Sequence, residues 1–589
     1  MVARQVRVLR VKRRLLTLAL LLTTAAASAP PPPNIVILLA DDWGFTDVGA
    51  FGGEIATPHI DDLAANGVRF ANFHVAGSCA PTRAMLQTGV SSHRAGLGNM
   101  SETIPPAHRG RPGYETMLNN RVTTIAERLG STGYRTFLTG KWHLGHTSAA
   151  LPTARGYDHA FALSQSGADN FDNKPNLLLY EKADWTEDGR PAALPKNVYS
   201  SRFLVDKMIA YLTTSDQSKP FLASVNFLAN HIPVQAPDAD LAAYRGKYDA
   251  GWTTLRDRRR AAAIGKGVMP AGVPMVAMTS TPDWARQYPA ERRQRSGAME
   301  AYAAMATAMD REVGRLVAHL KASGQYNNTV FVFLSDNGAE ATDPMTNPVA
   351  RADALINYDQ RTGQQGRPGS LTAIGAGFAS AASSPLRGYK FTASEGGLRV
   401  PLIIAWPGNP AVTKGAIARG FSHVTDIVPT LLQAAGVAPI AIAGKASMTG
   451  HSLLPVLTGI ATNVRAASEP LGYELSGNAV LWKGELKLVK NLPPYGDAQW
   501  HLFDIVADPG ETTDLRRVRR AEFSAMRADY AAFAARDGVL AMPAGYAAPR
   551  QILDNTLHDL LWPRLQRAMV WAAGLLALLG AGVWLLKRR

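Results

Sequence analysis

Alternating apolar and amphipathic segments predict the main architecture of this chain. Residues 34–40 form an uninterrupted apolar run, which is typical of a strand buried on both faces of a sheet. Similar runs recur at 134–138, 221–227 and 329–334. Amphipathic helices are expected between them, the longest over residues 297–323. Strands that alternate with helices predict an α/β fold in which helices flank a large, mostly parallel central sheet.

From about residue 440 the pattern changes to short apolar segments separated by tight turns, followed by a helical segment over 521–535. The short segments are 473–475, 479–482, 486–490 and 500–503. This spacing predicts a small antiparallel sheet. We therefore expect a main domain over residues 30–440 and a smaller C-terminal α+β subdomain over residues 441–545.

The N-terminus has the features of an export signal. A cluster of basic residues precedes the apolar segment 15–22, and the small residues 25–29 follow it. This arrangement predicts a secretory signal peptide over residues 1–29. The pair Arg13-Arg14 gives it a weak likeness to a twin-arginine signal, which would export the protein already folded.

The C-terminus has the features of a membrane anchor. Residues 568–586 carry no charge and would span roughly 28 Å as a helix, which is enough to cross a bilayer. The closing Lys-Arg-Arg suits the cytoplasmic side of a membrane. We therefore expect a linker over residues 546–565 and a transmembrane helix over residues 566–587. The main domain would then lie on the periplasmic, extracytoplasmic face of the cytoplasmic membrane.

The formal net charge of +15 does not predict nucleic-acid binding. Much of this charge lies in two terminal clusters, which belong to the predicted signal peptide and to the flank of the predicted membrane helix. The excess that is left for the rest of the chain is modest and forms no basic stripe. We therefore exclude nucleic acid as a partner and expect at most a preference for anionic substrates.

The single cysteine, Cys79, cannot form an internal disulfide. Taken alone, such a cysteine is usually a small buried apolar residue. Its neighbours indicate another use, because the motif C-A-P-T-R over 79–83 is followed by T-G at 88–89. Pro81 is placed to begin a helix, and a helix N-terminus that presents Cys79 would favour an anion there.

Polar residues follow three of the predicted strands at the points where they end. Asp41 and Asp42 follow the first strand. Lys141 follows the second, and Asp336 and Asn337 follow the last. In an α/β fold, ligands lie beyond the carboxyl ends of the strands, and carboxylate and amide oxygens suit a hard divalent cation such as Ca2+. Taken singly, each pair is equally typical of a turn or a helix cap, and zinc is disfavoured because no Cys/His cluster has its spacing.

Taken together, these motifs resemble those of the type I sulfatases. The pattern C-x-P-x-R followed by T-G is similar to the signature of that family. The likeness extends over ADDWGFTDVGAFGGEIATPHID, SCAPTRAMLQTG, GYRTFLTGKWHLGH, NFLANHIPVQAP, FLSDNGAE and YKFTASEGGLRVP. The order and spacing of these stretches, within residues 33–540, are especially similar to those of the bacterial arylsulfatases, which are calcium-dependent members of the alkaline phosphatase superfamily.

The resemblance implies that a formylglycine-generating maturation enzyme oxidises Cys79 to Cα-formylglycine and that each chain binds one Ca2+. The implied metal ligands are Asp41, Asp42, Cys79, Asp336 and Asn337. The implied reaction is hydrolysis of a small-molecule sulfate ester, in the first place an aryl sulfate. One hydroxyl of the hydrated aldehyde would attack sulfur with S–O cleavage to give a sulfo-enzyme intermediate, from which the second hydroxyl would expel sulfate.

The same resemblance implies a role for residues around the nucleophile. Asp336 would activate the attacking hydroxyl in addition to binding the metal. Arg83, one helical turn from Cys79, would hold and polarise the diol. His143 would take the proton of the second hydroxyl.

Further residues are implied in substrate binding. Lys141 and Lys390 would bind sulfate oxygens, and His231 with Lys390 would bind the ester and protonate or stabilise its departing oxygen. The segments 236–292 and 341–386, which are rich in Gly, Pro, Arg and Ala, are expected to be insertions that wall the pocket.

Two other functions are compatible with these residues. A formylglycine-dependent phosphonate monoester or phosphodiester hydrolase is a close alternative, because the metal and the diol suit either anion. A non-catalytic, membrane-tethered binding protein that kept the fold is the second alternative. The presence of every expected polar group in the chain disfavours the latter.

Overall fold

A ten-stranded sheet lies at the centre of the structure, a computed structural model that describes residues 31–176 and 180–588. The strands of this sheet and of two smaller sheets are, in chain order, β1 Asn34–Ala40, β2 Gly67–Phe70, β3 Phe73–His74, β4 Arg135–Lys141, β5 His159–Leu163, β6 Trp185–Glu187, β7 Arg190–Ala192, β8 Phe221–Asn226, β9 Thr329–Ser335, β10 Leu402–Ala405, β11 Ala416–Ala418, β12 Ser422–His423, β13 Pro470–Leu475, β14 Asn478–Lys483, β15 Leu486–Lys490 and β16 His501–Asp504. The signal peptide predicted over residues 1–29 lies outside the described residues.

The strand order of the large sheet is β11-β2-β10-β9-β1-β8-β4-β5-β6-β7. Its centre, from β9 to β5, is parallel, and antiparallel pairs join β10 to β9 and β2, and β6 to β5 and β7. In β1, Ile35 pairs with Leu222 on one side and Val330 on the other. The whole of β1 is buried, which explains its uninterrupted apolar run. The predicted large, mostly parallel sheet is confirmed.

Helices pack on both faces of this sheet, because alternate residues of β1 belong to two different apolar cores. The helices are α1 Pro58–Ala65, α2 Cys79–Thr88, α3 Ser92–Ala95, α4 Ile125–Gly130, α5 Ser200–Thr214, α6 Asp238–Tyr244, α7 Gly251–Gly265, α8 Pro289–Ala322, α9 Pro348–Asn357, α10 Gly375–Ala382, α11 Glu395–Leu398, α12 Ile427–Ala434, α13 Leu454–Leu457, α14 Arg520–Asp537, α15 Ala548–Asn555 and α16 Trp562–Lys587. The long helix α8 starts earlier than the predicted residue 297, since its first two turns are polar and mostly exposed and so lack an apolar stripe.

The predicted C-terminal antiparallel sheet is confirmed. Strands β13 to β16 pair in chain order, and Met526 and Phe533 of α14 share an apolar core with Leu481 and Leu488 of the sheet. The chain from Pro33 onward forms one compact unit, so this sheet belongs to the same body as the large sheet. The domain boundary at residue 440 stays a prediction.

The chain ends in a helix that runs from Ala548 to Lys587, in which a π-helical turn, Thr556–Leu561, connects α15 to α16. Within residues 31–176 and 180–588, it is the one helix long and apolar enough to cross a membrane, and its most apolar part is entirely exposed. The segment expected to be a linker, 546–565, is helical from Ala548 onward. Its first turns contact the body of the protein, where Arg109 Nη2 lies 2.6 Å from Asp559 Oδ2.

Candidate active site

The residues predicted for the site converge at the carboxyl edge of the large sheet. Asp41 and Asp42 follow β1, and Asp336 and Asn337 follow its parallel neighbour β9. Lys141 is the last residue of β4. The other predicted residues lie on α2 or in the loops after β4, β8 and α10, and they are Cys79, Arg83, His143, His231 and Lys390. All ten are buried, and the structure brings all of them together.

The carboxylates form a cluster that could hold a metal ion. One ligand atom from each of Asp41, Cys79 and Asp336 lies within 4.8 Å of the others, and so does one from each of Asp41, Asp42 and His231. Among the described residues, Asp41 Oδ1 and Asn337 Oδ1 are buried without a hydrogen-bond partner. Orphaned, buried oxygen atoms next to carboxylates fit a hard divalent cation.

The electrostatics of these carboxylates indicate unbalanced negative charge. Burial and the neighbouring Asp336 raise the pKa of Asp41 well above its usual value. Burial raises the pKa of Asp42 to about 7, although Lys390 opposes this shift. Such shifts arise where ionised groups are packed together away from water, and a bound cation would favour the ionised forms.

Cys79 is the first residue of α2, as the position of Pro81 predicted. Its Sγ lies 3.4 Å from His143 Nδ1. Burial alone would raise the pKa of the thiol, but the positive charges of Lys141, His143 and Lys390 lower it well below its usual value. The end of the helix and the nearby cations therefore make the side-chain position at residue 79 favourable for an anion.

Arg83 connects α2 to the carboxylate cluster. Its Nε donates to Asp336 Oδ2 at 2.9 Å, and its Nη1 donates to the carbonyl oxygen of Lys141 at 2.7 Å. Burial alone would raise the pKa of Asp336, but the charges of Arg83 and Lys141 keep it below its usual value. Asp336 is therefore ionised and can accept a proton.

Two buried lysines are paired with the acidic residues. Lys141 Nζ donates to Asp41 Oδ2 at 2.6 Å. Lys390 Nζ lies 2.8 Å from Asp42 Oδ1 and 3.0 Å from Glu340 Oε2. Burial alone would lower the pKa of Lys390, but Asp42 and Glu340 raise it well above its usual value. Lys390 therefore stays charged inside the protein.

His143 lies between Cys79 and an acidic side chain, Glu102. Its Nε2 is 3.6 Å from Glu102 Oε1. Burial alone would lower the pKa of His143, but the charges of Cys79 and Glu102 raise it to about 8. Tyr180 donates its hydroxyl to the same oxygen of Glu102. Although burial opposes the shift, hydrogen bonds from His143 and Tyr180 lower the pKa of Glu102 to about 2, so Glu102 is ionised.

His231 has a fixed orientation. Its Nδ1 lies 2.7 Å from the carbonyl oxygen of Ile232, which places a proton on Nδ1, and its Nε2 lies 3.3 Å from Ser166 Oγ. Burial and the charges of Lys141 and Lys390 lower the pKa of His231 well below its usual value. Its Nε2 is therefore unprotonated and accepts a hydrogen bond from Ser166 Oγ.

Sequence reasoning missed Glu102, Ser166 and Glu340. Glu340 belongs to the stretch FLSDNGAE, which also contains the predicted metal ligands Asp336 and Asn337, so its nearness to them in the sequence could have marked it as a site residue. Glu102 and Ser166 lie in loops without a recognisable motif. Tertiary folding, rather than spacing along the chain, brings these two residues to the site.

Three residues of the site region have a left-handed backbone: Asp42 has φ 64°, His143 has φ 55° and Phe391 has φ 68°. For a non-glycine residue this conformation costs on the order of 1–3 kcal/mol. The surrounding packing must therefore hold the backbone at these three positions, two of which carry predicted site residues.

A cavity of about 590 Å³ contains the Cys79 side chain in its wall. Its polar lining includes Cys79, Glu102, His231, Glu340 and Lys390. Its apolar lining includes residues from four segments: Trp252 of 236–292, Ala376 of 341–386, Leu492 and Tyr495 after β15, and Pro549 and Ile552 of α15. The segments 236–292 and 341–386 therefore line the pocket, as predicted; that they are insertions stays a prediction.

Known proteins with the same features identify the family. The family model described as Sulfatase matches residues 33–437. The chain is 34% identical over 533 residues to an uncharacterized sulfatase of Schizosaccharomyces pombe, which covers 87% of this chain and 95% of that protein. It is 33% identical over 426 residues to an arylsulfatase of Klebsiella aerogenes, which covers 71% of this chain and 89% of that protein. The solved structure of Ps i-CgsB in complex with k-i-k-neocarrahexaose has a similar fold, with a TM-score of 0.62 and 23% identity over 91% of this chain and 99% of that chain. The chain therefore belongs to the sulfatase family.

Proposed function

We propose that the protein is a calcium-dependent arylsulfatase whose nucleophile is formylglycine derived from Cys79. One observation carries this proposal: Cys79 begins α2 with its Sγ 3.4 Å from His143 Nδ1 and beside the carboxylates of Asp41 and Asp336. A modified cysteine needs these features, namely a position that favours an anion, a neighbouring base and oxygen ligands for a cation.

The donor set supports one Ca2+ per chain. Asp41, Asp42, Asp336 and Asn337 would hold it together with the side-chain oxygen of residue 79, and the orphaned oxygens of Asp41 and Asn337 would gain a partner. When bound, the cation would make the oxygens it contacts more acidic, and the hydrated formylglycine would supply the hydroxyl that attacks sulfur.

The charged side chains bind the sulfate and accept the first proton. Lys141 and Lys390 are buried and charged, and both lie close enough to the Cys79 thiol to lower its pKa. They would bind the sulfate oxygens and stabilise their charge as the S–O bond breaks. Arg83 keeps Asp336 ionised, so Asp336 would accept the proton of the attacking hydroxyl.

The two histidines complete the proton transfers. His231 has a fixed Nδ1 proton and lines the cavity, so its Nε2, which accepts from Ser166 Oγ, would gain a proton when the ester binds and transfer it to the departing oxygen. Bound sulfate would offset the lysine charges that lower the pKa of His231. Formylglycine lacks the thiolate charge that raises the pKa of His143, so a neutral His143, with Nδ1 3.4 Å from the Cys79 sulfur, would take the proton of the second hydroxyl.

The apolar part of the cavity supports an aromatic leaving group. Trp252, Leu492, Tyr495 and Ile552 all line it. A ring packed against these side chains would be removed from water, whereas a sugar would leave its hydroxyls without partners on the same surface. We therefore propose aryl sulfates as the preferred substrates.

The proposed location and partners follow from the chain ends. We propose that the helix Ala548–Lys587 anchors the enzyme in the cytoplasmic membrane and that the main domain faces the periplasm. A formylglycine-generating enzyme would modify Cys79, which is buried in the folded structure, before folding is complete.

The test uses the full chain, coexpressed with a formylglycine-generating enzyme and solubilised in detergent. Mass spectrometry of the peptide with residue 79 would measure the conversion of thiol to aldehyde. Turnover would be compared for 4-nitrophenyl sulfate, a sugar sulfate and an aryl phosphodiester, each with and without a chelator. We expect the aryl sulfate to be hydrolysed fastest, the chelator to inhibit, and Cys79→Ala to abolish turnover while folding and metal content stay close to those of the wild type.

Different results would contradict different parts of the proposal. Turnover of the phosphodiester alone would favour the phosphodiester or phosphonate hydrolase. A fully modified but inactive protein would favour the non-catalytic binding protein. Wild-type turnover in Cys79→Ala would refute the nucleophile.

A further inference from the structure

The first turns of the C-terminal helix belong to the surroundings of the active site. Ala548, Pro549 and Ile552 line the same cavity as Cys79. One turn further along, Asn555 is 93% buried, with a relative exposure of 7%. This helix lies beyond residue 437, where the match to the family model ends.

The side-chain nitrogen of Asn555 is hydrogen-bonded to a single loop, residues 101–104. Its Nδ2 lies within hydrogen-bond distance of three backbone carbonyl oxygens of that loop, at 3.4 Å from Ser101, 3.0 Å from Glu102 and 3.1 Å from Ile104. Its Oδ1 accepts from Arg109 Nη2 at 2.7 Å and from Gln551 Nε2 at 2.9 Å. Both ends of the amide are used, so the side chain has one orientation and holds the loop in place.

The side chain of Glu102 connects this loop to the reaction centre. Its Oε1 lies 3.6 Å from His143 Nε2, and the other ring nitrogen, Nδ1, lies 3.4 Å from Cys79 Sγ. A carboxylate beside Nε2 favours the tautomer that carries its proton there. The lone pair of Nδ1 then points toward residue 79, as a base for its hydroxyl requires.

We propose that Asn555 is a positioning residue for the sulfatase reaction, because it fixes the loop that places Glu102 against His143. The helix that would anchor the protein therefore also helps to order its active site. This inference rests on the proposed function, in which His143 receives a proton. Loss of a residue that orients a reacting side chain typically costs about 10- to 100-fold in activity.

The experiment is a double-mutant cycle in the full-length, modified enzyme with 4-nitrophenyl sulfate as substrate. Asn555→Ala and Glu102→Ala are each expected to lower kcat by about tenfold or more, with KM changed by less than about threefold. The double variant is expected to stay within about twofold of Glu102→Ala, because Asn555 has no further effect once Glu102 is gone. Hydrogen exchange of residues 99–105 should become faster in Asn555→Ala.

Two further variants keep the test decisive. Asn555→Asp keeps the size of the side chain and its acceptor for Arg109 but removes the Nδ2 donor, and we expect the same loss of kcat as for Asn555→Ala. Arg567→Ala removes an exposed ion pair to Glu181, 3.3 Å long, from the same helix and should leave kcat and KM unchanged.

The inference is overturned if the two losses of kcat multiply in the double variant or if Asn555→Asp turns over at the wild-type rate. Either result in an active enzyme would leave the proposed function intact. An inactive, fully modified wild type would instead refute the proposed function itself.

Discussion

Replacing Lys487 by Met would test how the C-terminal sheet is joined to the rest of the protein. Lys487 lies in β15 with a fully buried side chain, and its Nζ is 2.8 Å from both Glu395 Oε1 and Glu511 Oε1. Glu395 begins α11, a few residues after Lys390, and its Oε2 lies 2.9 Å from His74 Nε2. Lys487 therefore connects the small sheet to the segment 390–395, which contains Lys390, a predicted sulfate-binding residue.

The expected cost follows from the burial of all three charges. In Lys487→Met, Glu395 and Glu511 would remain buried without the cation between them. Removing one partner of a buried ion pair costs about 3–5 kcal/mol, and Met fills most of the lysine volume, so little of this cost is due to a cavity. We expect the free energy of unfolding at neutral pH to fall by about 3–5 kcal/mol.

The pH dependence of this cost has a defined sign. Burial alone would raise the pKa of Glu395, but His74 and Lys487 hold it well below its usual value. The stability it contributes in the wild type is present above the usual carboxyl pKa of about 4 and is lost as the pH falls toward the lower folded value. Without Lys487, the pKa of the two carboxyl groups would rise in the folded state. The destabilisation should therefore be smaller at about pH 5 than at about pH 8.

Urea denaturation of the full chain in detergent, followed by tryptophan fluorescence, would measure these changes. Lys483→Met is the matched control, because Lys483 lies on the adjacent strand β14 and pairs with Asp529 at 2.8 Å with both side chains about 30% exposed. Its loss should cost less than about 1 kcal/mol. Equal costs for Lys483→Met and Lys487→Met would refute the assignment of stability to the buried network.

Three further results are expected. Lys390→Met should lower kcat/KM for an aryl sulfate by about 100-fold or more, because it removes the positive charge between Asp42 and Glu340. A loss as small as that of Lys483→Met in the same kinetic assay would contradict the proposed role of Lys390 in sulfate binding. Burial raises the pKa of Asp310 to about 7, so the stability that Asp310 contributes is present below about pH 4 and is lost as the pH rises through 7. The free energy of unfolding should therefore fall less steeply between about pH 4 and pH 7 in Asp310→Asn than in the wild type, and equal slopes would contradict the raised pKa. Because burial raises the pKa of Asp42 to about 7, Ca2+ binding near pH 7 should release protons. Calorimetry in two buffers with different ionisation enthalpies would detect this release as a buffer-dependent heat.

The parts of the fold that were predicted from the sequence are those with a local pattern. The run 34–40 matches β1 residue for residue, because a strand buried on both faces has no polar positions. The start of α8 was not predicted, since its first two turns are polar and carry no apolar stripe. The helix over 548–565 was expected to be a linker, although the apolar residues 552, 553, 557 and 560 recur at helical spacing.

The site residues also divide into those that a local sequence motif predicts and those that it does not. All ten predicted residues stand in sequence motifs, and all but Lys390 follow the ends of strands or lie in the first turns of α2, where spacing along the chain implies position in space. Glu102 and Asn555 stand in no motif and are separated by more than 450 residues, yet Asn555 Nδ2 lies 3.0 Å from the Glu102 carbonyl oxygen. Such a contact depends on how the last helix docks, which local patterns do not encode.

The charges of the site give a physical reason why binding of the metal and binding of the substrate should be coupled. Its carboxylates are those of Asp41, Asp42, Glu102, Asp336 and Glu340, all buried except the partly buried Glu102, and its buried permanent cations are those of Arg83, Lys141 and Lys390. Fully ionised, this set has an excess of two negative charges, which is costly away from water, and the raised pKa values of Asp41 and Asp42 reduce that cost in the metal-free protein. Those two aspartates also hold the lysines, with Lys141 Nζ 2.6 Å from Asp41 Oδ2 and Lys390 Nζ 2.8 Å from Asp42 Oδ1. A divalent cation would balance the excess and compete for the same aspartates, so the lysines would be freer to bind sulfate. Metal binding and sulfate binding should therefore strengthen each other, because Asp41 and Asp42 are both proposed metal ligands and the ion-pair partners of the two lysines.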